Sequence, residues 1–321
     1  MRAIQVTRLD GPDGVEVVDV PEPTPQPGQV VVEVEALGVS FPDLLLTRGE
    51  YQLRPELPFI LGVDVAGVVR DAPAESGFKT GDRVACVLPY GAGAEVLALH
   101  PDSVFPLPDA VSFEAGAALP MNYLTAQFAL ATRAGLRADE TVLVHGAAGG
   151  VGTATIQVAR GYGARTIAVV STEAKAEVAR AAGADEVVMV DGFLAAAKEL
   201  TDGDGVDVVV DVVGGDLMTD SLRALAPGGR LLVVGFTAGA IPTVKVNRLL
   251  LNNTDVRGVG WGAWAMARPG FMRVQWDELL PMLESKVVDP PVGRVYPLDE
   301  TGAALADLAA RRTVGKSVVR F

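Results

Sequence analysis

The stretch from Thr141 to Gly152, TVLVHGAAGGVG, carries the spacing with the clearest chemical meaning. A β-branched apolar run, Thr141 to Val144, leads into glycines at 146, 149 and 152, and the following TATIQVARGYG predicts a helix. Gly146 permits a turn that would strain a residue with a Cβ. Gly149 lets backbone N–H groups come close to a pyrophosphate, and Gly152 lets helix and strand pack tightly. Gly150 and Val151 complete the turn, and the helix N-terminus offers unpaired N–H groups and the positive end of its dipole to phosphate. Glycine-rich turns are common and this spacing is not the strict G-x-G-x-x-G, so the flanking elements must carry the reading.

Those elements predict a series of β/α units. Strands are expected at Arg165 to Ser171, Glu186 to Val190, Val206 to Val213, Arg230 to Phe236 and Asp255 to Gly260, with helical or polar segments between them. Near-continuous apolar strands alternating with helices imply a parallel sheet covered on both faces, an α/β doubly wound (Rossmann) domain. Gly235, Phe236 and Thr237 end its fifth strand, at the carboxyl edge where such sheets bind ligands. An α/β domain that binds no nucleotide is the alternative.

A length of 321 residues suggests two domains. The formal charge of −13, with no basic run, excludes nucleic acid as an expected partner and leaves small molecules. Met1 leads directly into AIQV without a signal-peptide pattern, and no apolar run is long enough to span a bilayer. A soluble, cytoplasmic protein with no membrane partner is expected. Cys86 is the single cysteine, and His100 and His145 lie far apart in sequence, so no metal is expected. His145, ending the first strand of the α/β domain, predicts a packing or backbone-bonding role. Before residue 117 the pattern differs: short strands punctuated by GPDG, PEPTPQPG and TGD predict a mainly β domain.

The order VVVEVEALGVSFPDLLLTRGEY, LPFILGVDVAGVV, FKTGDRVACV, LPMNYLTAQFAL and VLVHGAAGGVG, closing with GKSVVRF, resembles the medium-chain dehydrogenase/reductases. It is most similar to their zinc-free quinone oxidoreductase (ζ-crystallin-like) branch. The resemblance implies a GroES-like catalytic domain at 1–117, a Rossmann dinucleotide-binding domain at 118–261, and a return to the catalytic domain at 262–321. Zinc-dependent relatives place a cysteine within the segment matching SFPDLL and GHE where this chain has Gly62, Val63 and Asp64. Neither Ser40 nor Val63 is a good zinc ligand. Without a Lewis acid, the hydride acceptor should already be electrophilic.

Ser171 and Thr172 stand where an NAD enzyme usually places Asp or Glu. Lys175 follows at a position that in similar reductases meets the 2′-phosphate, which implies NADPH; Glu173 argues the other way, and Lys175 as a solvated helix residue is the plain alternative. Ser40, Phe41, Asp43 and Tyr51 match the segment that faces nicotinamide and substrate in similar enzymes. Tyr51 is the candidate donor to a substrate oxygen, or an ordinary half-buried tyrosine. Asp43 suits a structural hydrogen bond better than acid/base work. Asn122, a third candidate catalytic residue with Ser40 and Tyr51, shares a predicted helix face with Thr125, which either anchors the carboxamide or forms a buried polar pair with it. Phe41, Trp261 and Trp264 are expected to line an apolar substrate pocket, with core packing the alternative for the tryptophans.

The expected function is zinc-independent, NADPH-dependent reduction of a quinone or α,β-unsaturated carbonyl. An enoyl-thioester reductase is the nearest rival. A nucleotide-binding protein with a structural or nucleic-acid role is the rival from another class, and the acidic balance speaks against it. The resemblance also implies a homodimer, joined along the exposed edge of the sixth strand of the α/β sheet.

Overall fold

A computed structural model describes all residues from Met1 to Phe321. The first eight strands are β1 (Arg2–Val6), β2 (Val15–Asp19), β3 (Val30–Gly38), β4 (Phe59–Ile60), β5 (Asp64–Asp71), β6 (Arg83–Val87), β7 (Val96–Leu99) and β8 (Val104–Pro106). Six more follow: β9 (Thr141–His145), β10 (Arg165–Val170), β11 (Glu186–Met189), β12 (Val206–Asp211), β13 (Leu225–Val233) and β14 (Asp255–Gly258). The chain ends with β15 (Val292–Pro297) and β16 (Lys316–Arg320). No helix is long and apolar enough to cross a membrane.

The residues form two compact units. The first comprises Met1–Asn122, Arg268–Asp277 and Pro290–Phe321, and the second Tyr123–Ala267 and Glu278–Asp289. These boundaries fall a few residues later than the expected 117/118 and 261/262, and Glu278–Asp289 joins the second unit. Side-chain partners explain the division. Trp276 stacks on Phe105 and donates to the Pro106 carbonyl within the first unit. In the second, Glu278 accepts from Gln127 and the Asp289 amide donates to Gln157.

In the first unit β3 pairs antiparallel with β5, β7 and β16, in a sheet ordered β15-β16-β3-β5-β6-β8 with β7 off that path; a separate sheet runs β2-β1-β4. Alternation along β3 explains its placement: Glu33 and Glu35 face solvent while Val32, Val34 and Ala36 are buried. Ile4, Leu37, Leu44, Leu61, Val63, Val65 and Tyr296 belong to its core.

The second unit holds a six-stranded sheet ordered β11-β10-β9-β12-β13-β14, parallel throughout. This is the doubly wound order expected of a dinucleotide-binding sheet. The near-continuous apolar runs of β9, β10 and β12 are buried on both faces, as a covered parallel sheet requires. The edge strands β11 and β14 are only partly buried. Beneath the central strands, Arg230 donates two hydrogen bonds, at 2.7 and 2.6 Å, to the buried carboxylate of Glu140, fixing the middle of β13 beside the start of β9.

Candidate functional site

The second unit gathers the residues expected to bind a dinucleotide. Gly146 follows β9 with φ at +63°, and a Cβ there would lie 2.7 Å from the Val212 side chain. Gly152 is confined more tightly, because its Cβ would stand 2.2 Å from the Gly146 carbonyl oxygen. Gly149 is the N-cap of the helix Gly150–Gly161, and a Cβ there meets only the Gly146 oxygen, at 3.3 Å. Packing therefore explains Gly146 and Gly152 but barely constrains Gly149. What remains for Gly149 is the open approach it leaves at a helix N-terminus, beside Gly150 and Val151.

At the carboxyl end of β10, Thr172 caps the helix Glu173–Ala181 by accepting from the Lys175 amide at 3.3 Å. The Lys175 ammonium donates to Ser171 Oγ at 3.1 Å, so the cation lies beside Ser171 at this strand end, next to the capping Thr172. Glu173 is drawn elsewhere: its carboxylate accepts from Arg180 at 2.7 Å. Gly235, Phe236 and Thr237 follow β13, with the Thr237 amide bonded to the Val212 carbonyl at 3.1 Å. Trp261 is buried, and Trp264, half-buried, packs on Phe128 with ring centroids 5.6 Å apart. Thr125 is buried in the helix Pro120–Gln127.

His145 is fully buried, edge-on to Phe193, with Nε2 2.8 Å from Ser221 Oγ. Ser221 spends its own proton on the Leu217 carbonyl, so Nε2–H must be the donor. Burial lowers the His145 pKa to about 4, against the pull of Asp211, and the ring stays neutral. It packs, as expected, though onto a hydroxyl rather than the backbone.

The first unit concentrates its polar residues where β3 ends. Ser40 is the N-cap of the helix Phe41–Thr47, and the Asp43 carboxylate reaches back to accept from the Ser40 amide at 2.8 Å, the return arm of a capping box. The other Asp43 oxygen is buried without a partner. Burial foremost, then the neighbouring Asp64 carboxylate, raises the Asp43 pKa to about 7, while the Ser40 amide and Lys316 act in the opposite direction. Phe41 and half-buried Tyr51 pack against the unit's core. Burial, then the Asp43 charge, keeps the Tyr51 phenol above its ordinary pKa, so it remains a donor at neutral pH.

Three buried side chains complete this cluster. Ser40 Oγ donates to Asp64 Oδ2 at 2.7 Å, and Lys316 Nζ lies 2.5 Å from Ser40 Oγ and 2.9 Å from Asp64 Oδ2. The second Asp64 oxygen accepts from the Met121 amide at 2.7 Å, next to Asn122, whose own amide donates to the Ala118 carbonyl. Strand register brings them together. Val318 of β16 faces Gly38 of β3, Gly38 faces Asp64 of β5, and carrying the first pairing on by two residues sets Lys316 opposite Ser40. Gly38 makes the room, since a Cβ there would lie 2.8 Å from Lys316 Cε. Sequence reasoning missed Lys316 and the role of Asp64. The one signal was a lysine opening the closing strand, next to the buried Val318 and Val319.

Comparison with known proteins bears on both units. A family described as "Alcohol dehydrogenase GroES-like domain" matches residues 26–109, and one described as "Zinc-binding dehydrogenase" matches 150–284. Quinone oxidoreductase-like protein 2 of Bos taurus is 37% identical, over 98% of this chain and 91% of its own length. The quinone oxidoreductase of Pseudomonas aeruginosa is 36% identical, over 99% of each chain. The Thermus thermophilus quinone oxidoreductase, solved also in complex with NADPH, superposes with a TM-score of 0.88 at 38% identity over 100% of each chain. With its GroES-like and Rossmann-type units and full-length relatives at this identity, the chain belongs to the quinone oxidoreductases of the medium-chain dehydrogenase/reductase family.

Proposed function

We propose that this protein is an NADPH-dependent reductase that delivers hydride to a quinone or an α,β-unsaturated carbonyl without zinc. The end of β10 carries the reading. There Lys175, Ser171 and Thr172 offer a cation and two hydroxyls to a 2′-phosphate, while Glu173 is paired with Arg180. The relative solved with NADPH supports the same cofactor. NADPH supplies the hydride. This chain's part is to hold the pyrophosphate at the 146–152 turn and the phosphorylated ribose at Lys175, and to orient the acceptor.

The residues do not fit zinc. The donors at the relevant positions are a serine hydroxyl and an aspartate already bonded to an ammonium, and no three His, Cys, Asp or Glu side chains converge anywhere. An acceptor activated by its own conjugation needs no such ion. Hydride addition to an enone β-carbon leaves an enolate, and addition to a quinone leaves a hydroquinone anion; the Tyr51 phenol is a donor for that oxygen, and solvent supplies the final proton.

Two substitutions test this assignment in one steady-state experiment. Lys175→Ala is expected to raise the KM for NADPH about 10-fold and leave that for NADH unchanged. Tyr51→Phe is expected to lower kcat with NADPH affinity intact. Equal loss with both cofactors, or an unaltered Tyr51→Phe variant, removes the residue concerned from its role.

The reading includes a homodimer. β14 pairs only with β13, leaving one edge open, and Ile241, Val246, Leu250 and Leu251, in the segment leading to it, are each more than 70% exposed. A solution mass of twice the chain is expected at micromolar concentration; a single-chain mass contradicts it.

A further inference from the structure

We propose that Lys316 is a positioning residue that makes the Ser40 hydroxyl a hydrogen-bond donor, in addition to the Tyr51 phenol, for the acceptor oxygen on which negative charge develops. The inference rests on the reductase reading above and names a residue that reading does not use.

A serine hydroxyl has one proton to give and two lone pairs to receive. Here it receives from the Lys316 ammonium and gives to Asp64 Oδ2. A charged donor on the hydroxyl oxygen polarises its O–H and strengthens it as a donor in turn. Asp64 does not depend on that proton, because the Lys316 ammonium and the Met121 amide also bond its two oxygens. When charge builds on a nearby acceptor oxygen, the Ser40 proton can therefore turn toward it without stranding a buried carboxylate. Lys316 stays on both partners throughout, and the Asp64 charge remains paired. No covalent bond changes in this step, and the proton that completes the reduction still comes from solvent.

Lys316, Asp64 and Ser40 are each less than 7% exposed, so the ammonium is not a surface charge that chose the nearest carboxylate. A lysine buried this deeply is retained against its desolvation cost. The same contacts tie together the start of the helix Phe41–Thr47, the start of β5 and the first turn of the helix Pro120–Gln127; the two helices carry the candidates Ser40, Phe41 and Asn122.

The test uses the full-length protein with NADPH and whichever quinone or enone the wild type reduces. Ser40→Ala leaves the Lys316–Asp64 pair in place and is expected to lower kcat roughly 100-fold, with the KM for NADPH changed less than 2-fold. Lys316→Met alone strands the Asp64 charge, so the informative variant is the charge-neutral pair Asp64→Asn with Lys316→Met. That pair is expected to melt near the wild type, to lose about 10-fold or more in kcat, and to add no further loss in the Ser40→Ala background. If the pair does not fold, Lys316→Arg, which keeps the cation but places it differently, takes its position with the same expectation.

Wild-type kcat in Ser40→Ala overturns the inference, and so does a Lys316 effect that multiplies with that of Ser40→Ala instead of vanishing. These results differ from failure of the underlying reading, which would show as a wild-type protein without NADPH turnover on any acceptor and would take this inference with it.

Discussion

Asp43 is the residue whose ionisation most directly couples this cluster to pH. Its folded pKa, about 7, lies above its ordinary 3.8, chiefly because the carboxyl is buried with one oxygen unpartnered. The neutral form is therefore the one the fold prefers. Its stabilising effect is complete below pH 3.8 and declines as pH rises to about 7, where the folded protein too must ionise it. Asp43→Asn keeps an acceptor for the Ser40 amide and has no proton to lose. Relative to wild type it is expected to gain stability steadily between pH 4 and 7 and to hold that gain above, as urea melts across this range would show. A difference independent of pH would place the proton elsewhere in the cluster.

At this scale the sequence announced a structural hydrogen-bonding role for Asp43 and the packing of His145, but not that the Asp43 bond caps a helix. It could not announce Lys316, which lies 276 residues from Ser40 and 252 from Asp64. Only the register of three strands joins them, and a lysine at the head of the closing strand does not by itself show which residues it meets.

The turn between β9 and the helix Gly150–Gly161 holds glycines that packing demands and one, Gly149, that it does not. A methyl at Gly152 has backbone at 2.2 Å, whereas at Gly149 its nearest neighbour is at 3.3 Å. Gly152→Ala is expected to cost about 3 kcal/mol and lower the melting temperature by several degrees. Gly149→Ala should melt within about 2 °C of wild type. Its NADPH affinity, by isothermal titration calorimetry, should nonetheless fall about 10-fold, because the methyl stands where a phosphate approaches. Unchanged affinity in Gly149→Ala would remove the phosphate from that turn.

Elements were the most legible level of the fold. The strands expected at Thr141, Arg165, Glu186, Val206 and Asp255 all form, starting at those residues, because apolar β-branched runs leave little choice. β13 was the exception: it begins at Leu225, five residues before the expected Arg230, through Pro227, Gly228 and Gly229, which do not carry a strand pattern. The helix Phe41–Thr47 also went unread, although the proline at its second position is a residue that suits the first turn of a helix.

For the whole molecule, the two folds could be read because one has period-two strands with turn punctuation and the other alternates strand and helix. Their boundaries could not, because the helix Phe271–Glu284 runs without interruption from the first unit's Arg268–Asp277 into the second unit's Glu278–Asp289, and only Trp276, Glu278 and Asp289 reveal the division through their partners. Membership of the quinone oxidoreductases places the chemistry in a class and leaves the acceptor to be found by measurement. The most direct measurement follows oxidation of NADPH and of NADH by the wild-type protein at 340 nm, in parallel, with a benzoquinone, a naphthoquinone, an alkyl enone, an enal and an enoyl thioester. The account predicts turnover with a quinone or with an enone or enal, at a kcat/KM at least about 10-fold higher for NADPH than for NADH. Turnover confined to the enoyl thioester, a preference for NADH, or tight NADPH binding with no acceptor reduced would contradict it.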